Sequence, residues 1–174
     1  MKGHLTMNRR THLAASLAAL AAWAPAQAGA QAGAQERAAV ELVRTFYAAV
    51  DARADVGTLE GFFAPDFSDH DRPANALEGI PDRAVALALF GELASGFPDG
   101  ADRLDIPAPV GLDTAMVYWT FTGTHEGPFF GIPASGRSVE INGVDVFLVE
   151  DGRFDEQWHV EELMSLFAQI GASG

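Results

Sequence analysis

The pair Asp151-Gly152, set between two alternating apolar runs, constrains the fold of this chain more than any other two residues. Both central residues of a two-residue hairpin turn must take positive φ, which Asp-Gly tolerates and most pairs do not. Counting outward from that turn, Glu150 faces Arg153, Val149 faces Phe154, Phe147 faces Glu156 and Asp145 faces Trp158. Side chains alternate across a sheet, so Ile141, Gly143, Asp145, Phe147 and Val149 are expected on one face with Phe154, Glu156, Trp158 and Val160. That face is apolar apart from two carboxylates. The opposite face carries Glu140, Asn142, Glu150, Arg153, Asp155, Gln157 and His159, and reads as the wetter one.

A carboxylate on an apolar wall is costly to ionise, so its pKa rises toward the range useful for proton transfer. Asp145 and Glu156 are diagonal neighbours in this register, roughly 7–8 Å apart at the backbone, and their repulsion pushes one of them higher. The competing reading of each is a rim or interface position where the group meets water or an arginine.

Composition narrows the chemistry. The chain has 174 residues, no cysteine, a formal charge of −13 and a hydrophobic content of 48%, enough for one well-packed domain. Its sole lysine is Lys2. Thiol nucleophiles, disulfides and zinc–thiolate sites are excluded, as are Schiff-base and phosphate-loop lysines once a leader is removed; no Gly-x-Ser-x-Gly elbow occurs either. The negative charge argues against nucleic acid and anionic membranes as partners. No His-x-His or His-x-x-x-His spacing supports a metal site built from His70, His125 and a carboxylate, and no cofactor is expected.

Residues 1–35 read as an export signal and small-residue linker. Lys2, Arg9 and Arg10 form a basic start, Leu13 to Trp23 is an apolar run too short to span a bilayer, and Ala26-Gln27-Ala28 and Ala28-Gly29-Ala30 offer A-x-A cleavage sites. Asn8-Arg9-Arg10-Thr11-His12-Leu13 partly resembles a twin-arginine signal, so either bacterial route remains open. A periplasmic or secreted domain, clear of the membrane after signal removal, is the expectation for residues 36–171.

Within that domain, Ala39, Val40, Val43, Phe46, Tyr47 and Val50 recur at helical spacing over Glu36 to about Ala54. Thr58 is placed to cap a short second helix that Pro65 ends. Phe67 to His70 is a brief extended segment; His70 either points into a pocket or bonds Asp69 or Asp71 at the surface. Pro81 starts a helix that runs to Gly96. Leu104 to Val110, interrupted by two prolines, suits an edge strand, and Ala115 to Thr124 is a stronger one with Val117, Trp119, Phe121 and His125 on one parity. Glu161 to Ile170 closes the chain as a helix. Helices followed by antiparallel strands describe an α+β domain, a cone-shaped curved sheet wrapped around N-terminal helices with an apolar pocket between them.

The ordered set Phe63-Ala64-Pro65-Asp66-Phe67 with Asp69-His70, Phe97-Pro98-Asp99, Gly123-Thr124-His125-Glu126-Gly127, Phe130-Gly131-Ile132-Pro133, Gly143, Asp145, Phe147, Asp151-Gly152-Arg153, Glu156, Trp158 and Gln169 resembles the SnoaL-like polyketide cyclases of the nuclear transport factor two-like superfamily. The resemblance covers most of residues 36–171. It implies a cofactor-free intramolecular aldol closure of a polyketide ester, an apolar carbonyl compound, with Asp145 as acid/base and His125 and His70 as pocket histidines. Trp119, Phe121, Phe129, Phe130, Phe147, Glu156 and Trp158 are the candidate substrate-binding wall, or else plain core. Leu148 departs from the family's arginine, and Glu162 from its aspartate four residues after Trp158. His125 and Asp145 are not expected to form a dyad, being about eight strand residues or roughly 26 Å apart in a regular hairpin. A related isomerase, dehydratase or hydrolase, and an exported binding module without turnover, stay open beside the cyclase. A homo-oligomer is the one protein partner admitted.

Overall fold

The computed structural model describes residues 11–72, 78–105 and 107–172, with side chains from residue 27. Among the described residues, four helices, α1 (Thr11–Asp51), α2 (Val56–Glu60), α3 (Asp82–Gly96) and α4 (Leu163–Ile170), pack with six strands: β1 (Phe63–Asp69), β2 (Ala101–Leu104), β3 (Ala108–Pro109), β4 (Thr114–Thr124), β5 (Ser138–Glu150) and β6 (Arg153–Glu161). The curved, unclosed sheet runs β1-β6-β5-β4-β2, with β3 also on β4; β1 joins β6 in parallel and every other pairing is antiparallel. The α+β architecture expected above is therefore the one observed.

Asp151 and Gly152 take φ of 47° and 74°, so the turn closes in two residues, and Glu150–Arg153 and Val149–Phe154 pair as counted. Beyond them the count fails. Leu148 pairs with Glu156, leaving Asp155 as the extra residue of a β-bulge, and the next pairs are Phe147–Gln157, Val146–Trp158 and Asp145–His159. A bulge places two residues opposite one, and a shift by one residue moves every later side chain to the other face. The bulge keeps Phe154 inside, where its ring stacks on Phe147 at 4.2 Å. It turns Glu156, Trp158 and Val160 outward and Gln157, His159 and Glu161 inward. The expected Asp145–Trp158 pair is thus replaced by Asp145–His159.

The concave face is filled from two sides. Phe46 of α1 is fully buried, with ring centroids of Phe62, Phe63, Phe90, Phe147 and Phe154 at 5.2–6.3 Å. A second cluster of Phe97, Phe121, Phe129, Val139, Ile141, Leu166 and Ile170 sits under α4. Arg53, just past α1, donates to the carbonyls of Phe97 (2.9 Å) and Gly100 (2.6 Å), and so ties α1 to the turn that leads into β2. α2 is capped by Asp55, which accepts from the Thr58 amide at 3.1 Å; Thr58 lies inside the helix rather than at its cap.

The leader expected over residues 1–35 falls partly outside the described residues. From Thr11 the backbone is one continuous helix through Asp51, exposed at Ala28 and Ala30, with Ala39 its first buried described residue. No helix among the described residues is long and apolar enough to cross a membrane.

Candidate active site

Five strands and α1 converge on one polar cluster inside the curved sheet. Asp145, in the middle of β5, is only 5% exposed. Its Oδ2 accepts from Trp119 Nε1 at 3.0 Å and from the Tyr47 hydroxyl, while Oδ1 has no hydrogen-bond partner among the described residues. Burial drives the Asp145 pKa up; the bonds from Tyr47 and Trp119 and the charge of His159 hold it at about 6. Burial beside this carboxylate likewise raises the Tyr47 pKa well above the ordinary phenol value, so Tyr47 is a donor.

Trp119 reaches Asp145 because position 143 has no side chain. A Cβ there would fall 2.1 Å from Trp119 Cζ2, so the indole lies flat across the Gly143 backbone, one strand over. Gly143→Ala is expected to cost about 1–3 kcal/mol through overpacking and to swing the indole N–H off Asp145. Thermal unfolding together with tryptophan fluorescence reads both effects; an unchanged emission spectrum contradicts the geometry.

Directly across the ladder from Asp145, His159 donates through Nε2 to Asp69 Oδ1 (3.1 Å) and through Nδ1 to Glu161 Oε2 (2.7 Å). Burial alone would depress the imidazole, but these two carboxylates push it up to about 10, so it is a cation at neutral pH. Asp69 is fixed at the end of β1, where its amide donates to Asp82 Oδ2 of α3 at 2.9 Å. Asp102 of β2 also lies on the inner parity; burial, then the charges of Asp51 and Asp145, lift it to about 7.

The other expected site residues lie elsewhere. His70 is on the outer face, bonded to Glu156 Oε2 at 2.6 Å and stacked on Trp158 at 4.4 Å with planes 2° apart. The bulge has therefore taken Glu156 and Trp158 away from Asp145, His70 lies with them on the outer face, and Trp158 is 39% exposed. His125 is fully buried at the far end of β4, where the Ser135 amide donates to its Nδ1 at 3.3 Å and its Nε2 is left unpartnered beside Phe97. Since Val117 faces Asp145, His125 lies eight residues further along the chain, just past the end of β4, about 26 Å away in extended strand, and the two form no dyad. Phe121 and Phe129 belong to the second cluster, Phe147 to the first, and Phe130 is half exposed in the loop after β4. Of the expected wall, Trp119 and Phe147 share the Asp145 neighbourhood.

Tyr47, Asp69, Asp102, His159 and Glu161 are the site neighbours not read from the sequence. An open groove of about 480 Å³ between α1 and the β5–β6 turn, lined by Ala38, Leu42, Thr45, Asp113 and Val149, contains none of them.

A family profile for SnoaL-like polyketide cyclases matches residues 41–170. The chain belongs to that family. Among solved structures, this SnoaL-like chain is similar to TsrD from Streptomyces laurentii, at 34% identity over 79% of this chain and 98% of TsrD, with a TM-score of 0.66. A candidate SnoaL-like polyketide cyclase from Jannaschia sp. CCS1 is 26% identical over 80% of this chain and 95% of its own, also at 0.66. IdmH from Streptomyces antibioticus, a candidate polyketide cyclase, is 27% identical over 76% and 98%, at 0.61. No curated protein gave a match. In this SnoaL-like chain the departure at Glu162 is built in structurally: its carboxylate accepts from the Asn142 amide at 3.0 Å, and its own amide donates back to the Asn142 carbonyl at 3.0 Å.

Proposed function

We propose that this SnoaL-like protein performs cofactor-free acid/base chemistry on an apolar carbonyl compound, an intramolecular aldol ring closure of a polyketide-type ester or a closely related carbon-acid reaction. The observation that carries the reading is Asp145, a buried carboxylate whose Oδ2 is bonded to Tyr47 and Trp119 while Oδ1 has no hydrogen-bond partner among the described residues, with a pKa of about 6. A base poised just below neutral pH is ionised in use and still basic enough to take a proton. Asp145 Oδ1 takes a proton from the carbon next to a carbonyl, and the C–H electron pair becomes the enolate. That carbon bonds to a second carbonyl of the same molecule, and the alkoxide so formed recovers the proton from Asp145. No proton is gained or lost overall.

Protonating Asp145 also weakens its hold on two donors. The Tyr47 hydroxyl and the Trp119 N–H are then free to turn toward oxygen charge at the moment it develops, which is when stabilisation counts toward rate. The test is hydrogen exchange into an aryl β-keto ester, methyl benzoylacetate, in D₂O. Faster deuteration of the carbon between ketone and ester than in buffer supports the reading. Saturable binding of the ester with exchange at the buffer rate overturns it in favour of a binding module.

Export belongs to the same reading: the basic start, the short apolar run and the A-x-A sites support cleavage near Ala28 or Ala30, both exposed in a helix whose first buried described residue is Ala39. Intact mass from a bacterial host is expected to show a species lacking about 30 residues outside the cytoplasm. A full-length mass in the cytoplasmic fraction contradicts it.

A further inference from the structure

We propose that His159 is a positioning residue for the Asp145 base: an imidazolium clamped between Asp69 and Glu161, directly across the β5–β6 ladder, that keeps Asp145 a carboxylate inside the apolar cone. The inference deepens the acid/base reading above and rests on it only for calling Asp145 a base.

The geometry comes from three strands. Asp145 and His159 are ladder partners on the inner face, a placement that exists only because the bulge at Asp155 has shifted β6 by one residue. Asp69 comes from the end of β1 and Glu161 from two residues further along β6, and each takes one ring nitrogen, at 3.1 and 2.7 Å. With both N–H groups committed to carboxylates, the ring has no proton to offer a substrate and no lone pair to accept one. What it does present to Asp145 is fixed positive charge.

That charge acts among several others. Facing Asp145 are His159 and Glu161 from β6, Asp102 from β2 and the Tyr47 hydroxyl from α1, with Asp69 of β1 behind the imidazole and Asp51 of α1 and Arg53 beside Asp102. Apart from His159, and Arg53, which acts on Asp102, every ionisable member of this set is an acid. Without the imidazolium, burial and four carboxylates favour the protonated form of Asp145 against only the Tyr47 and Trp119 bonds, and a smaller share of the base is ionised at neutral pH. The Asp69–Glu161 clamp keeps the histidine charged despite its own burial. The cluster is thus a charge relay in the static sense, in which two outer carboxylates hold a cation that holds the inner one.

The experiment is a carboxyl ¹³C titration of the full chain, with the Asp145 resonance assigned by its loss in Asp145→Asn. The parent midpoint is expected near 6. His159→Gln, which keeps hydrogen-bonding capacity but not charge, is expected to raise it by about one unit, cutting the ionised fraction at pH 6 from about half to about a tenth. His159→Lys restores a cation and is expected to return the midpoint toward the parent value. Glu161→Gln leaves Asp69 to hold the imidazolium and removes a negative charge that raises the Asp145 pKa, so it is expected to lower the midpoint, which gives a test of opposite sign should His159→Gln not fold. An Asp145 midpoint that stays put in His159→Gln, or a lysine variant indistinguishable from the glutamine one, overturns the proposal. The titration needs no turnover: a midpoint that moves as expected in a protein that exchanges no substrate sustains the electrostatic role of His159 and sinks the catalytic reading alone.

Discussion

Asp145→Asn is expected to lower the exchange or ring-closure rate by about 10²–10⁴ while leaving ligand binding nearly unchanged, the usual size of a general-base contribution. The amide oxygen can still accept from Tyr47 and Trp119, so the local hydrogen bonds survive and only the proton acceptor is lost. Stability separates this outcome from simple unfolding. The folded-state pKa of Asp145, about 6, lies above its ordinary value of 3.8. Between those values the folded protein binds more proton than the unfolded chain, so the carboxyl's favourable contribution is complete below about pH 4 and is lost as pH rises through 6. Above pH 7 the parent carries a buried carboxylate that the asparagine variant lacks. The variant is therefore expected to melt at the same temperature as the parent or higher, and an inactive variant with an intact or raised melting temperature has lost chemistry, not structure. If the variant keeps full turnover, Asp145 is not the base. Asp102, the other inner-face carboxylate with a raised pKa, then inherits the role; His125 is too far along β4, and Glu156 points outward.

The reach of the sequence can be judged at two residues on one strand. Asp145 was legible because an apolar alternation with one carboxylate in it is already a statement about desolvation, and the Asp-Gly turn fixes which face that alternation presents. His159 was not, because its face depends on a bulge that no residue between Phe154 and Gln157 announces. The bulge is settled by tertiary packing: Phe154 stays in the aromatic core while its amide donates to the Phe62 carbonyl at 2.8 Å, and the following residues must then turn over to meet β1. One unpaired residue exchanged a tryptophan for a charged histidine opposite the candidate base.

Tyr47 illustrates a different limit. Its place in the apolar stripe of α1 was plain from helical spacing, and it is buried as that stripe requires. What spacing does not reveal is that its hydroxyl ends against a carboxylate 98 positions later in the chain. A buried tyrosine needs a partner for its O–H, so the signal was present in kind, although nothing local names the partner. The motif-based candidates show the converse. His70 and His125 stand in segments that match the family, yet the first faces outward and the second is walled in by Phe97 and Ser135.

Phe46→Ala is expected to be the most destabilising single truncation in the core, costing about 3–5 kcal/mol and lowering the melting temperature by roughly 10 °C or more. Phe46 is the ring that α1, β1, α3, β5 and β6 have in common, touching Phe63, Phe90, Phe147 and Phe154 edge-on at 5.2–6.3 Å. Its removal opens a cavity that no one element can fill without leaving another, so little of the loss can be recovered by relaxation. Edge-to-face pairs add about 0.5–1.5 kcal/mol each beyond area burial, which places this site toward the upper end of that range. The control is Phe130→Ala, at a ring 51% exposed, where the change is expected to stay within about 0.5 kcal/mol. Phe46 also precedes Tyr47 on the same helical turn, so a loosened α1 shifts the Tyr47 hydroxyl away from Asp145. The truncation is therefore expected to move the Asp145 titration midpoint as well as the unfolding curve, upward because a bond that favours the carboxylate is weakened. Chemical denaturation of the two variants, read beside that midpoint, decides the matter. A Phe46→Ala loss below about 1 kcal/mol means that α1 is not what closes the cone over the site.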